Sequence, residues 1–356
     1  MSSKTAPGLR RPHLRRAGQW LIVATLCATV LVPIVLGGRE ALEGTMRFSA
    51  QGYLAIFSMV AVSVLARALK LHLLLKRFGA SSGMARMLRV SLATDFAFMT
   101  TPAGVGGYAA SVYYLRRSGA SVSGAATITA TDQIMDVLFF IVALPVAGLG
   151  LIWSDAPPTL SLIAFATSAA SVVAAVALLL LRRPLARWFA NLAVSHRWPR
   201  LCRAHAAACA FAATVHADTR FVLAAGAPLL LNVFLLTAVQ QLARYGVLWL
   251  VLVLLGHPIS FLLTYLLQVL VLQAAALTGV PSGAGGAELG LSATLLAFVP
   301  GASLATALLL WRVGTLYAPL VAGALAIALP SRRRTHANAS ALAQAQPAIE
   351  AEGFTR

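Results

Sequence analysis

Apolar residues in this chain form long continuous runs separated by short charged clusters. Runs from Trp20 to about Leu36, Tyr53 to Leu73, Gly124 to Trp153, Leu160 to Leu181, Phe221 to Leu255 and Leu304 to Leu329 approach or exceed the roughly 18 to 20 residues that carry a helix across a bilayer. A transmembrane barrel would instead alternate apolar and polar positions in segments of about ten residues. The pattern predicts an all-α polytopic membrane protein.

Two apolar regions are interrupted by related sequences, Pro102-Ala103-Gly104-Val105-Gly106-Gly107 and Pro281-Ser282-Gly283-Ala284-Gly285-Gly286. Proline removes a backbone donor and glycine raises the entropy cost of helix, so both stretches are expected to break it, with new helices starting after Gly107 and Gly286. Broken backbone at membrane depth is tolerated where protein buries it or a water-filled cavity satisfies it. Two such breaks predict one internal cavity.

The flanking sequence repeats in the same order. Leu65-Ala66-Arg67, Gly79, the first break, Gly119-Ala120-Ser121 and Pro145-Val146-Ala147-Gly148 are answered by Leu242-Ala243-Arg244, Gly256, the second break, Gly301-Ala302-Ser303 and Pro319-Leu320-Val321-Ala322-Gly323, at offsets between about 174 and 182 residues. This order predicts a duplicated unit of helix, interrupted hairpin and helix over about 50–153 and 221–329.

Charge orients the spans. The chain carries a formal net charge of +18, with charged residues only 11% and hydrophobic residues 59% of 356. Its basic residues gather beside the apolar runs, which is the pattern of cytoplasmic loops rather than of a nucleic-acid surface. Residues 1–19, the segment 184–220 and the tail 330–356 are therefore expected in the cytoplasm. The segment 184–220 is read as an interfacial helix or a solvated loop, and the tail as disordered. No small-residue cleavage site follows the first apolar run, so it is expected to stay as a helix, ended by Pro33 and Gly37-Gly38, with Arg39 to Arg47 as a neutral loop. The first hairpin, basic at both ends, is expected to enter and leave on the cytoplasmic side. The second, between Gly256-His257-Pro258 and Pro300-Gly301, opens outside. That gives inverted repeats, six full spans and two re-entrant hairpins, with Ile259 to Val280 long enough to cross fully as the alternative, in a bacterial inner membrane with both termini inside.

Chemistry in the apolar regions is sparse. Asp95, Asp132, Asp136, Arg244, Glu288 and Arg312 stand out among the few ionisable residues there, and each is expected to face the interior with a partner, because a charge at helix-centre depth costs about 2.5 to 3.5 kcal/mol on insertion scales. Asp132 and Asp136 share a helix face. Arg312 matches Asp132 in the repeat, so an Asp132–Arg312 pair across the fold is one expectation. A Glu288–Arg312 pair is another, since Glu288 is the sole acid from Phe221 to Leu329. Helix N-termini after the breaks are candidate resting places for an anionic group. The candidate cavity set is thus Glu288, Arg312, Asp132, Asp136, Arg244, Pro102, Gly104, Gly106, Gly107, Pro281, Gly283, Gly285 and Gly286. No catalytic constellation or cofactor motif is found. Cys202, His205, Cys209 and His216 fit no standard zinc spacing, and Cys27 completes no disulfide framework.

At Pro281-Ser282-Gly283-Ala284-Gly285-Gly286-Ala287-Glu288, Trp311-Arg312 and Pro319-Leu320-Val321-Ala322-Gly323 the chain resembles the transmembrane region of lysylphosphatidylglycerol synthases, also found alone as a flippase-like family. Tyr113-Tyr114-Leu115-Arg116-Arg117 and Asp132 fit the same pattern, whereas an acid expected at Tyr108 and arginines near Ser111 and Gln133 are missing. The resemblance implies movement of a polar-headgroup lipid between leaflets. Its alternatives are an accessory protein of lipid, glycolipid or hopanoid biosynthesis and a subunit of an aminoacyl- or glycosyl-lipid transferase. Partners are then membrane lipids with an anionic headgroup, a lipid-biosynthetic enzyme, or a second copy of the chain.

Overall fold

The computed structural model describes residues 11–80, 82–152 and 226–329, with isolated positions between 162 and 224. The regular elements among the described residues are all helical. Ala50–Arg77, Val122–Leu151, Ala227–Leu254 and Gly301–Ala328 are each long and apolar enough to cross a bilayer. The chain is a multi-pass α-helical membrane protein. The link Asp155–Pro158 between two of the apolar runs, most of the run over Leu160–Leu181, most of 184–220 with Cys202, His205, Cys209 and His216, and the tail 330–356 lie outside the described residues.

The described helices are α1 (Arg11–Arg47), α2 (Ala50–Arg77), α3 (Met84–Thr100), α4 (Val105–Arg117), α5 (Val122–Ile152), α6 (Ala227–Leu254), α7 (Phe261–Leu277), α8 (Gly286–Leu295), α9 (Gly301–Arg312) and α10 (Ala318–Ala328). Short 3₁₀ turns at Pro102–Gly104 and Pro281–Gly283 separate α3 from α4 and α7 from α8. A π-helical turn, Val313–Tyr317, joins α9 to α10.

α2 shows why these helices form and how they sort their faces. Ser49 caps its start, accepting a hydrogen bond from the Gly52 amide at 3.0 Å, and Lys76 and Arg77 close its last turn where the helix dipole favours positive charge. Leu54, Phe57, Val62 and Leu65 are exposed, whereas Arg67 and Lys70 are buried. This distribution is the reverse of a soluble helix. It suits a surrounding of hydrocarbon, where apolar side chains cost nothing outside and charges must be paired inside.

α2 packs along α6, and Ser63 Oγ donates to the Gln240 carbonyl at 3.0 Å. The largest core joins α5 to α9 around Trp311, Leu248, Leu252 and Leu291. A second core lies under α2, α3 and α5, with Leu71, Leu75, Met87 and Ile128.

One boundary differs from the apolar pattern. The expected loop at Arg39–Arg47 is helical: Gly38 takes φ 55° and kinks α1, and the helix then resumes. Ala41 is buried against Ala305 and Leu309 on α9, while Glu43 and Arg47 pair at 3.1 Å on the outer face. Those charges mark one side of a helix rather than a loop. Arg89, one of the basic residues ahead of the first broken turn, reaches the end of α10. Its Nε donates to the Ala326 carbonyl at 2.7 Å and its Nη2 to that of Leu329, satisfying acceptors that the helix end leaves free.

α10 lies close against α3 at Gly323, where a β-carbon would stand 2.5 Å from the Leu92 carbonyl oxygen and 2.6 Å from Phe96 Cβ. Backbone atoms cannot move aside as a flexible side chain can. Gly323→Val is expected to cost about 1 to 3 kcal/mol through overpacking, read as a lower melting temperature in detergent, whereas Val321→Leu on the exposed face leaves it unchanged.

Candidate functional site

Helical spacing sets the charges facing each other. α2 carries Arg67 and Lys70 one turn apart on its buried face, and α5 carries Asp132 and Asp136 four residues apart. Arg67 Nη2 meets Asp132 Oδ2 at 3.0 Å, and its Nη1 bonds Asp95 of α3. Lys70 Nζ lies 2.6 Å from Asp132 Oδ1, 3.2 Å from Asp136 Oδ1 and 3.1 Å from Thr237 Oγ1 of α6. Gln133 Nε2 adds a donor to Asp132 Oδ2 at 3.3 Å. Asp132 and Lys70 are fully buried, and their mutual attraction in a poorly polarisable interior offsets the loss of hydration.

A second pair sits in the other half. Arg312 Nε contacts Glu288 Oε1 at 2.5 Å, and Arg312 Nη1 donates to the Ser282 carbonyl at 3.5 Å. Glu288 Oε2 accepts from the Gly285 amide at 2.8 Å, so one carboxylate both caps α8 and holds the arginine. The expected Asp132–Arg312 pair is not formed. Asp132 is already met by two cations from α2, and Glu288 lies nearer to Arg312 in the fold.

The breaks differ in detail from the expectation. Pro102 and Gly104 form the first turn, with Gly104 at φ 70°, but α4 begins at Val105, and Gly106 and Gly107 lie inside its first turn. Gly107 is needed for space: a β-carbon there would stand 2.2 Å from the Phe98 ring. Pro281 and Gly283 form the second turn, Gly285 precedes α8, and Gly286 is its first residue. Ser282 adopts φ 51°, a left-handed conformation that costs a non-glycine residue free energy and recurs at functional sites. The two turns pack against each other. Both helix starts are already capped, at Gly106 by Thr101 Oγ1 (2.9 Å) and at Gly285 by Glu288.

A cavity of about 300 Å³ opens beside these turns, bordered by Gly104, Ser282 and Gly283 from the breaks and by Arg67, Asp136 and Arg244. A smaller one of about 120 Å³ adjoins it, sharing Phe98, Arg244, Leu272 and Ser282 and adding Arg312 and Gln268. Arg244 is exposed and makes no salt bridge among the described residues. The arrangement offers a guanidinium with no salt bridge among the described residues to an anion beside backbone held open by the turns.

Arg67 and Lys70 are the residues that apolar periodicity missed as site candidates, and Asp95 was recognised only as a buried charge. The signal for Arg67 was its repeat match to Arg244. Lys70, near the end of its apolar run, reads as an interfacial charge, and its distance of one turn from Arg67 was the available clue.

The family model described as the lysylphosphatidylglycerol synthase TM region matches residues 19–323 of the chain. Among curated proteins, none matches it.

Removing one partner of a buried ion pair typically costs about 3 to 5 kcal/mol, because the survivor stays desolvated and unpaired. Glu288→Ala and Arg312→Ala are each expected to lower thermal stability in detergent, and the double substitution to lose much less than their sum. Additive losses in this double-mutant cycle would show the two side chains to be energetically independent.

Proposed function

Because the chain belongs to the lysylphosphatidylglycerol synthase TM region family, membrane proteins linked to lipid biosynthesis or flipping, we propose that it moves a polar-headgroup lipid between leaflets. The observation that carries this reading is the polar cavity where the two broken turns meet, bordered by an arginine with no salt bridge among the described residues. A headgroup enters the cavity while its chains remain in the bilayer. Arg244 and Arg312 contact an anionic group, and Asp136, with Asp132 and Glu288, balances charge.

Helix lengths support the same reading. At 1.5 Å per residue, α3 and α4 reach about 25 and 20 Å and α8 about 15 Å, against a hydrocarbon core of about 30 Å. The interrupted hairpins are read as re-entrant, in inverted repeats, with the basic termini and 184–220 on the cytoplasmic side of a bacterial inner membrane. The chain acts as a carrier of lipid and not as a catalyst.

The test is purified full-length protein in vesicles containing a fluorescent phospholipid, with an impermeant quencher added outside. Translocation is expected to let the quencher reach nearly all of the probe instead of the outer-leaflet share. Binding without movement would leave an accessory role in lipid biosynthesis. Arg244→Gln is expected to slow transfer about tenfold while changing stability by less than about 1 kcal/mol, since no ion pair is broken. For orientation, a single cysteine at His257, in a chain lacking Cys27, Cys202 and Cys209, should react with impermeant maleimide from outside intact cells. Labelling only after lysis would reverse the topology.

A further inference from the structure

The ion-pair cluster between α2, α3 and α5 does not close on itself. Arg67 and Lys70 bring two positive charges, while Asp95, Asp132 and Asp136 bring three negative ones, so one negative charge is left over. Asp132 meets both cations and Asp95 is held by Arg67, which leaves the excess on Asp136. Its ion-pair partner among the described residues is Lys70 alone, at 3.2 Å, and its side chain is 18% exposed. Of the three carboxylates it is the one that lines the larger cavity.

A second observation puts an acceptor on the same cavity wall. Gln240 Oε1 is buried and unpartnered, on a residue 4% exposed. Thr237 stands one turn before it on α6, and its Oγ1 lies 3.1 Å from the Lys70 Nζ that holds Asp136. Buried acceptors are normally satisfied. Ionised Asp136 turns only lone pairs toward this oxygen, whereas the protonated acid carries an O–H that donates to it. Gln268 Oε1 at the smaller cavity is unpartnered as well, on a residue 1% exposed, but no carboxylate among the described residues lines that cavity.

The remaining charges around Asp136 decide when it needs that proton. α2 offers Arg67 beside Lys70, α6 offers Arg244 and Tyr245, α7 has Tyr265, and α3 acts through the Asp95 carboxylate on Arg67. His72 lies about 200° round α2 from Lys70 and faces elsewhere. Arg116 and Arg117 of α4 stand beyond the Ser111–Thr129 contact, away from the Asp136 end of α5. Arg244 is the cation of this group with no salt bridge among the described residues, so it balances Asp136 across the cavity. An anion that takes Arg244 removes this balance and sets a second negative charge in the same space of about 300 Å³. At an effective dielectric constant of about 20, repulsion over so short a span weakens binding by about tenfold or more. Protonation of Asp136 lifts it.

We propose that Asp136 binds a proton when an anionic group enters the larger cavity, so that anion and proton are taken up together. The proposal rests on the cavity being a headgroup site and names the ion that accompanies the headgroup. The proton comes from water and forms an O–H on one Asp136 oxygen, with no other covalent bond changed. The acid then donates to Gln240 while Lys70 stays with Asp132. By linkage, each ligand raises the affinity for the other by the same factor. A hard metal cation would restore the charge too, but it needs about six oxygen ligands and would share the cavity with Arg67 and Arg244.

The test measures binding of phosphatidylglycerol, a probe of fixed single charge, to the purified full chain in detergent between about pH 9 and about pH 5. Lower pH favours the protonated acid, so affinity is expected to rise about tenfold as pH falls, within the usual range of coupling between sites. Asp136→Asn keeps the shape of the neutral acid and should bind at the alkaline end as tightly as the wild type at the acidic end, with no pH dependence. On the wild type itself, adding the probe in weakly buffered solution with a pH dye should register uptake of up to about one proton per lipid bound. Constant wild-type affinity without proton uptake, or pH dependence retained in Asp136→Asn, overturns the proposal. Loss of the pH dependence in Glu288→Gln alone assigns the proton to the other half and overturns it too. Tightening by sodium at fixed pH, in place of the proton, overturns the choice of ion. Absence of anion binding at every pH sinks the headgroup reading on which this one rests. Coupled binding without transfer in the vesicle assay sinks the translocase reading alone, and transfer with pH-independent binding sinks this proposal alone.

Discussion

Lys70 holds two carboxylates of α5 from a position on α2 where water does not reach. In a medium of low polarisability an ammonium without its partners would be prohibitively placed, and so would Asp132 without Lys70 and Arg67. The contact fixes much else. It sets the rotation of α2 against α5, since a shift of one residue in either helix would carry its charge to the lipid face. Through Arg67 and Asp95 it also positions α3, and with α3 the first broken turn.

The two halves use matched positions differently. Arg67 and Arg244 occupy corresponding places in the repeated sequence. Arg67 is tied to Asp95 and Asp132, whereas Arg244 faces a cavity and has no salt bridge among the described residues. The difference traces to composition. The first half supplies three acids to its cluster, and the second has only Glu288, which Arg312 and the Gly285 amide already engage. One half is thereby internally neutralised to within a single negative charge, and the other keeps a positive charge for the cavity.

The helical class, four of the expected spans and the cavity beside the two breaks were legible because hydrophobic run length and Pro/Gly interruption are local signals. The Glu288–Arg312 contact followed from there being one acid in that half. The alternative Asp132–Arg312 pair is not formed because the repeat offset ranks equivalent positions, whereas pairing depends on which faces of α2 and α5 meet. Gly106 and Gly107 were read as part of the break. The helix tolerates them there, and Gly107 lets Phe98 approach. The unpartnered amides of Gln240 and Gln268 carried no signal at all, since nothing local distinguishes a glutamine that lines a cavity from one that hydrogen-bonds in a core.

The π-helical turn at Val313–Tyr317 sits between Arg312, which reaches the cavity, and Gly323, which docks on α3. A π turn holds one residue more than the α-helical path between the same ends. Losing a single residue there would leave an unbroken, equally apolar helix, but with Arg312 turned by about 100° relative to Gly323. Chain length across this stretch is therefore as constrained as residue type. A homologue that keeps every charged residue but lacks one position between 313 and 317 would be a different machine.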